Sequence, residues 1–128
     1  MKRLLWLTIS VAFVGFCFLG TVLGQTPKPP KKTKDLVNAG RTLFEQNCAA
    51  CHGSKGDGRG VAGSALNPHP ADFTKPLKNW PNSKGDPQKI FEEISKGIHN
   101  SAMVGWTQFS DEQRWGLVYY VMGFSKGK

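Results

Sequence analysis

A chain of 128 residues, 39% hydrophobic and with three cysteines, holds one domain at most, with room for a targeting segment. Its formal charge of +8 invites a nucleic-acid partner, but the charge lies in the wrong places. Lys2, Arg3, Lys28, Lys31, Lys32 and Lys34 precede the body; from Asp35 onward eleven Lys/Arg face nine Asp/Glu, a surplus of two. That balance leaves no dense basic stripe for phosphates, so no nucleic-acid partner is expected.

Lys2 and Arg3 are followed by Leu4 to Gly24, a run without a single charge. A basic start before an apolar run is the layout of an export signal, and Val22 and Gly24 are small enough for a peptidase cutting before Gln25. The run also approaches the roughly 20 residues that span a bilayer. Residues 1–24 are therefore expected to be either a removed export signal or an uncleaved membrane anchor. Cys17 lies inside this run, after Phe16, and reads as apolar filler. Residues 25–34, ending in PKPPKKTK, form a Pro/Lys-rich tether, extended and solvated.

The body, residues 35–128, opens with Asp35 as N-cap of a helix reaching about Asn47. Leu36, Gly40, Leu43, Phe44 and Asn47 fall on one face of it. Glycine within that face costs about 1 kcal/mol against alanine, a cost that makes sense where another helix comes close. CAACH, Cys48 to His52, comes next, and then a loop from Gly53 to about Asp86, rich in Gly, Pro, Asn and Ser. Loops beyond about 12–15 residues usually serve a function or wrap something. Asp86 as N-cap, Pro87 at the first helical position and Gly97 as the stop delimit a second helix, with Ile90, Phe91 and Ile94 on its apolar side. A shorter loop, IHNSAMVGWTQF, leads to a third helix ending at Phe124, opened by a Ser110–Gln113 capping box and by Asp111 and Glu112. No strand pattern appears after Asp35. The expected class is all-α, with short helices and long loops wrapped round a bulky group that the amino acids do not supply.

The CAACH turn selects that group. A zinc site needs four ligands, and the other candidates, His69 and His99, are isolated and far apart. A dithiol switch would follow a strand, and none precedes Cys48. A Cys48–Cys51 disulfide would close a very small loop and leave His52 idle. The glycine run GSKGDGRG lacks the Lys–Ser/Thr pair that closes a phosphate loop. C-x-x-C-H remains as the attachment signature of haem c. On a helical turn Cys48 and Cys51 share a face at i and i+3, in reach of both vinyl edges of one porphyrin. His52 then emerges beneath the ring to bind the iron. An export signal fits this chemistry, because thioether attachment takes place on the outer side of the bacterial membrane.

From Asp35 to Phe124 the chain resembles the small monohaem class I cytochromes c of bacteria, whose fold is about three to five short helices round one covalently bound haem. The resemblance rests on Gly40 and Phe44, eight and four residues before Cys48, and on Leu117 and Tyr120 in WGLVYY, which would press on them from the last helix. It implies Met103, in the loop before that helix, as the sixth iron ligand, although Val104 stands where many relatives have proline. It also implies a proline-rich stretch whose carbonyl takes the other ring N–H of His52, at Pro68 or alternatively Pro70. Trp106 is expected to pack against the haem or wall the ligand loop, Trp80 either to reach a propionate or simply to pack, and Trp115 to be core. His99, four residues before Met103, offers a bis-histidine alternative; otherwise His69 and His99 read as exposed loop residues, and Met122 as core.

The function this implies is single-electron transfer without catalysis. The partners expected are redox proteins: a quinol-oxidising complex, a terminal oxidase, a reductase or a dehydrogenase. The expected location is the periplasm, either free or held at the outer face of the inner membrane by residues 4–24. Two alternatives stay open: a five-coordinate gas-binding or peroxidase-like haem protein, or a permanent haem subunit of a larger redox enzyme.

Overall fold

In the computed structural model, residues 27–125 are described. The first helix, α1 (Lys34–Asn47), is capped two residues earlier than the sequence suggests, by Thr33 and not Asp35: Thr33 Oγ1 accepts from the Leu36 N–H at 3.2 Å. Asp35 lies instead in the first turn, where a carboxylate suits the positive end of the helix dipole. After a break at Cys48 the chain makes one more turn, α2 (Ala49–His52). Asp86 caps α3 (Pro87–Lys96) by accepting from the N–H groups of Gln88 and Lys89, and Gly97 ends it at φ +76°. The capping box of Ser110 and Gln113 opens α4 (Asp111–Met122), which stops two residues short of Phe124. The regular structure among the described residues is helical, with one isolated antiparallel bridge, Gly97 to Val104, and no strand.

The core forms where α1 crosses α4. Gly40 and Gly116 meet at the crossing: a Cβ on Gly40 would lie 2.0 Å from the Gly116 carbonyl oxygen, and one on Gly116 would lie 2.7 Å from that of Leu36. Contact that close brings Phe44 against Tyr120, with ring centroids 5.3 Å apart, and buries Leu117 and Val118 completely. Helix α3 packs on the same α4, with Phe91 stacked on Trp115 at 4.8 Å.

The long loop after His52 is tied back to the Cys48–His52 turn. Gly58, Gly60 and Ala62 donate backbone N–H groups to the carbonyls of His52, Cys51 and Ala50, and Phe73 donates to Gly56. Two single 3-10 turns, Gly63–Ala65 and Leu77–Asn79, stiffen it further. Before α1, Lys28, Lys31 and Lys32 are exposed, yet the segment is not free: the Pro30 carbonyl accepts from Tyr119 Oη at 2.6 Å, and Lys32 Nζ lies 5.9 Å from the centre of that ring. The expected signal or anchor, with Cys17 and the cut before Gln25, falls outside the described residues. Among the described residues no helix is long and apolar enough to cross a membrane.

Candidate functional site

A cavity of about 500 Å³ opens between the Cys48–His52 turn, α3, α4 and the loop before α4. That is within the roughly 300–1,000 Å³ of sites that bury most of a bound ligand. Its walls are largely apolar, with Phe44, Ile90, Ile94, Leu117 and Val121 among them. Cys48, Cys51, His52, Met103, Pro68 and Trp106 all line it, although more than fifty residues separate the first from the last.

The turn bearing the first three of these is made locally. The Cys48 carbonyl accepts from the N–H groups of both Cys51 and His52, at 3.1 and 2.9 Å, which winds the motif into a single helical turn. Both cysteines are half-buried free thiols. Burial, with Cys51 alongside as the lesser cause, pushes the Cys48 thiol up to about 11. Redox-active dithiols depend on a lowered thiol pKa, so this environment opposes switch chemistry. It leaves a neutral thiol in an apolar wall.

His52 is held between rings. It stacks on Phe73 with centroids 4.7 Å apart and planes 14° apart, and it faces Phe44 at a tilt of 47° with centroids 6.5 Å apart. Burial lowers its pKa and keeps the imidazole neutral, with a lone pair free for a metal; the Ala71 carbonyl pulls more weakly the other way. That carbonyl makes no sound hydrogen bond to Nδ1, which is buried without a partner. The backbone group acting on this ring thus belongs to Ala71, while Pro68 is an exposed residue of the rim. Gly58 explains the approach: a Cβ there would come within 2.6 Å of the Pro70 oxygen, so the Pro70–Ala71 backbone passes only because Gly58 has none.

Met103 is presented by a loop folded back on the end of α3. The Met103 carbonyl accepts from Ile98 N–H at 3.0 Å, its own N–H donates to Ser101 Oγ at 3.1 Å, and Trp106 N–H donates to the Ile94 carbonyl at 2.9 Å. Gly97 permits this return, since a Cβ there would meet the Met103 oxygen at 2.6 Å. Trp106 stacks on Phe109, and its Nε1 is buried with no partner. Trp80 also lines the cavity, and its Nε1 donates to the Lys75 carbonyl at 3.1 Å. His69 and His99 line the cavity from exposed positions on its rim.

Sequence reasoning missed three residues here. Phe73 and Ala71 lie in an irregular loop with no periodicity to reveal them. Glu93, also in the lining, did carry a signal: it follows Ile90 by three residues and so shares the inward face of α3.

The lining fits a flat, mostly apolar prosthetic group with a polar edge. It offers two free thiols on one turn, a neutral imidazole, a thioether from a separate loop, and two buried ring nitrogens, His52 Nδ1 and Trp106 Nε1, without partners. Such a cavity, under helices crossed at paired glycines and behind a C-x-x-C-H turn, is that of a cytochrome c domain, whose work is haem-based electron transfer. More particularly, residues 35–121 match the family model described as cytochrome c oxidase, cbb3-type, subunit III, and the chain belongs to that family. Among solved structures it is similar to a chain of the Kuenenia stuttgartiensis reducing HAO-like protein complex Kustc0457/Kustc0458, with a TM-score of 0.71 and 25% identity over 80% of this chain. It spans about half of that protein, 49% of its length. No curated protein matches.

Proposed function

We propose that this chain is a single-electron carrier with one covalently attached haem c, ligated by His52 and Met103, serving exported or membrane-bound redox partners. The observation that carries the reading is the convergence of Cys48, Cys51, His52 and Met103 on one apolar cavity. Once bound, haem supplies reversible one-electron chemistry at its iron. The chain's own residues do the rest. Cys48 and Cys51 would hold the group through two thioether bonds, and burial keeps His52 neutral and able to donate its lone pair. The bonds from the Met103 N–H to Ser101 Oγ and from the Ile98 N–H to the Met103 carbonyl fix where the Met103 sulfur is offered. A neutral imidazole and a thioether would favour ferrous iron and raise the potential, and with His52 and Met103 both engaged no site would be left for a substrate, so the role is not enzymatic. The reading puts the domain in the periplasm with residues 4–24 as signal or anchor; what supports it is the charge-free run behind Lys2 and Arg3, together with an attachment chemistry that takes place outside the cytoplasm.

Ligand replacement tests the reading. The reduced protein is expected to take up carbon monoxide slowly, and the oxidised protein to show the weak near-infrared band of an iron–sulfur bond. Met103→Ala should remove the band, admit carbon monoxide rapidly and lower the midpoint by a tenth or more of the roughly 0.8 V that axial ligands span. Rapid uptake by the unaltered protein without that band would instead make it a five-coordinate gas-binding or peroxidase-like protein.

The family description and the complex containing the similar structure favour a second reading, a haem subunit of a larger redox assembly. Obligate interfaces are large and apolar. Among the described residues the exposed large hydrophobics are Val61 and Val104, a surface better suited to exchangeable docking. Co-purification with a stoichiometric partner through high salt would decide for the subunit.

A further inference from the structure

Among the described residues, Glu93 is the one carboxylate lining the cavity. It lies on α3 between buried Ile90 and Ile94 and is itself half-buried. The same side chain lines a shallow depression on the outer side of α3, together with Lys89, Glu92, Lys96 and Gly97. Glu93 therefore stands in the wall between cavity and solvent, within reach of protons on one side and of a change of charge on the other.

Its surroundings favour the neutral acid. Burial raises the carboxyl above its ordinary value, and Lys89, one turn earlier, opposes this. In the outer depression Lys96 is engaged by Glu92, with Nζ 3.5 Å from Oε2. Across the cavity the titratable groups are Cys48, Cys51 and His52 of the attachment turn, His69 of the loop that follows and His99 of the Met103 loop. His52 and Cys48 are kept neutral by burial, so the charge most able to change inside the cavity is that of the cofactor.

We propose that Glu93 is a proton-binding site coupled to the redox state of the haem, so that electron transfer through this chain carries a proton with it. The inference rests on the carrier reading above. Reduction brings one electron from the donor protein and lowers the positive charge in the cavity by one; the Glu93 carboxylate then takes one proton from solvent. Oxidation passes the electron to the acceptor protein and returns the proton to water. Proton affinity is thus higher in the reduced state. With Glu93 protonated in both states the midpoint is high; it falls as pH rises through the window between the two pKa values and levels off where Glu93 is ionised in both. Each tenfold difference in proton affinity displaces the one-electron midpoint by about 59 mV.

The test is the midpoint of the holoprotein as a function of pH, with haem first verified by absorption and mass. The wild type should fall across a window lying above the ordinary glutamate value. Glu93→Gln should hold the acidic plateau through that window and lie above the wild type at higher pH. Glu92→Gln removes the same charge from the outer surface and should keep the fall, while Glu93→Asp should retain a fall at a displaced pH. A fall shared by wild type and Glu93→Gln would belong to the haem's own carboxylates and would overturn the proposal, as would a flat wild-type profile. Should Glu93→Gln fail to fold, proton uptake by the wild type on reduction, read with an indicator dye in weak buffer, must peak in the same window; no uptake overturns the proposal. A reversible haem couple with a pH-independent midpoint would sink Glu93 alone, whereas a protein with no redox-active haem would sink the carrier reading too.

Discussion

Burial does most of the chemical work at single residues of this protein. Cys48 is driven towards the neutral thiol and His52 towards the neutral imidazole by the same desolvation, and the two states suit different tasks, one bond to carbon and one to a metal. The tryptophans separate by what their N–H groups meet. Trp80, 2% exposed, donates to the Lys75 carbonyl and so stiffens the loop that closes the cavity, while Trp106 Nε1 is left without a protein partner. Trp80→Phe should therefore lower stability by about 0.5–3 kcal/mol through a lost bond and looser packing. Denaturation of the holoprotein measures that loss, and the midpoint potential should stay at the wild-type value. A large shift in potential with little loss of stability would instead put Trp80 on the cofactor.

Between elements, the crossing of α1 and α4 sets the geometry of everything else. Two glycines allow the backbones to touch, and the touch places Phe44 and Leu117 side by side in the cavity wall. Gly40→Ala has a helix-propensity gain of about 1 kcal/mol in its favour. Against it stands a Cβ 2.0 Å from a backbone oxygen, which cannot swing aside as a side chain would. Overpacking costs about 1–3 kcal/mol or more, so the helices must part and the variant should be the less stable. Chemical denaturation of the holoprotein checks the sign, and equal or greater stability would mean that the crossing is not this tight in solution. The strap before α1 adds a second tie on the far side of α4, where Tyr119 Oη binds the Pro30 carbonyl.

For the whole molecule the deciding quantity is the space the helices surround. A cavity of about 500 Å³ with largely apolar walls leaves those walls facing water when no group fills it, which is unfavourable. Domains of this size hold only about 5–15 kcal/mol of net stability. The chain produced without haem should therefore lose most of its helical signal in far-ultraviolet circular dichroism at 25 °C and melt without cooperativity. A cooperative transition in that material would show that the protein atoms suffice for the fold. Charge plays a smaller part at this scale, since the body has a surplus of only two positive charges, which two haem propionates would offset.

What the sequence determined by itself was local. A C-x-x-C-H turn, an Asp86 cap followed by Pro87, the Ser110–Gln113 box and a glycine on an apolar face each state their purpose within a few residues, because hydrogen bonds to near neighbours and helical spacing are enough to fix them. Tertiary structure decided what depends on segments meeting from afar. It set Gly116 opposite Gly40, brought the Ala71 carbonyl to His52, turned the Trp80 N–H to Lys75 and left Glu93 in the wall of the cavity. It also chose Thr33 over Asp35 as the first cap, a contest between two suitable side chains that only the path of the chain could settle. Close approach and burial are properties of the space between elements, and a one-dimensional pattern records them only where, as at Gly40, the approach needs the absence of a side chain.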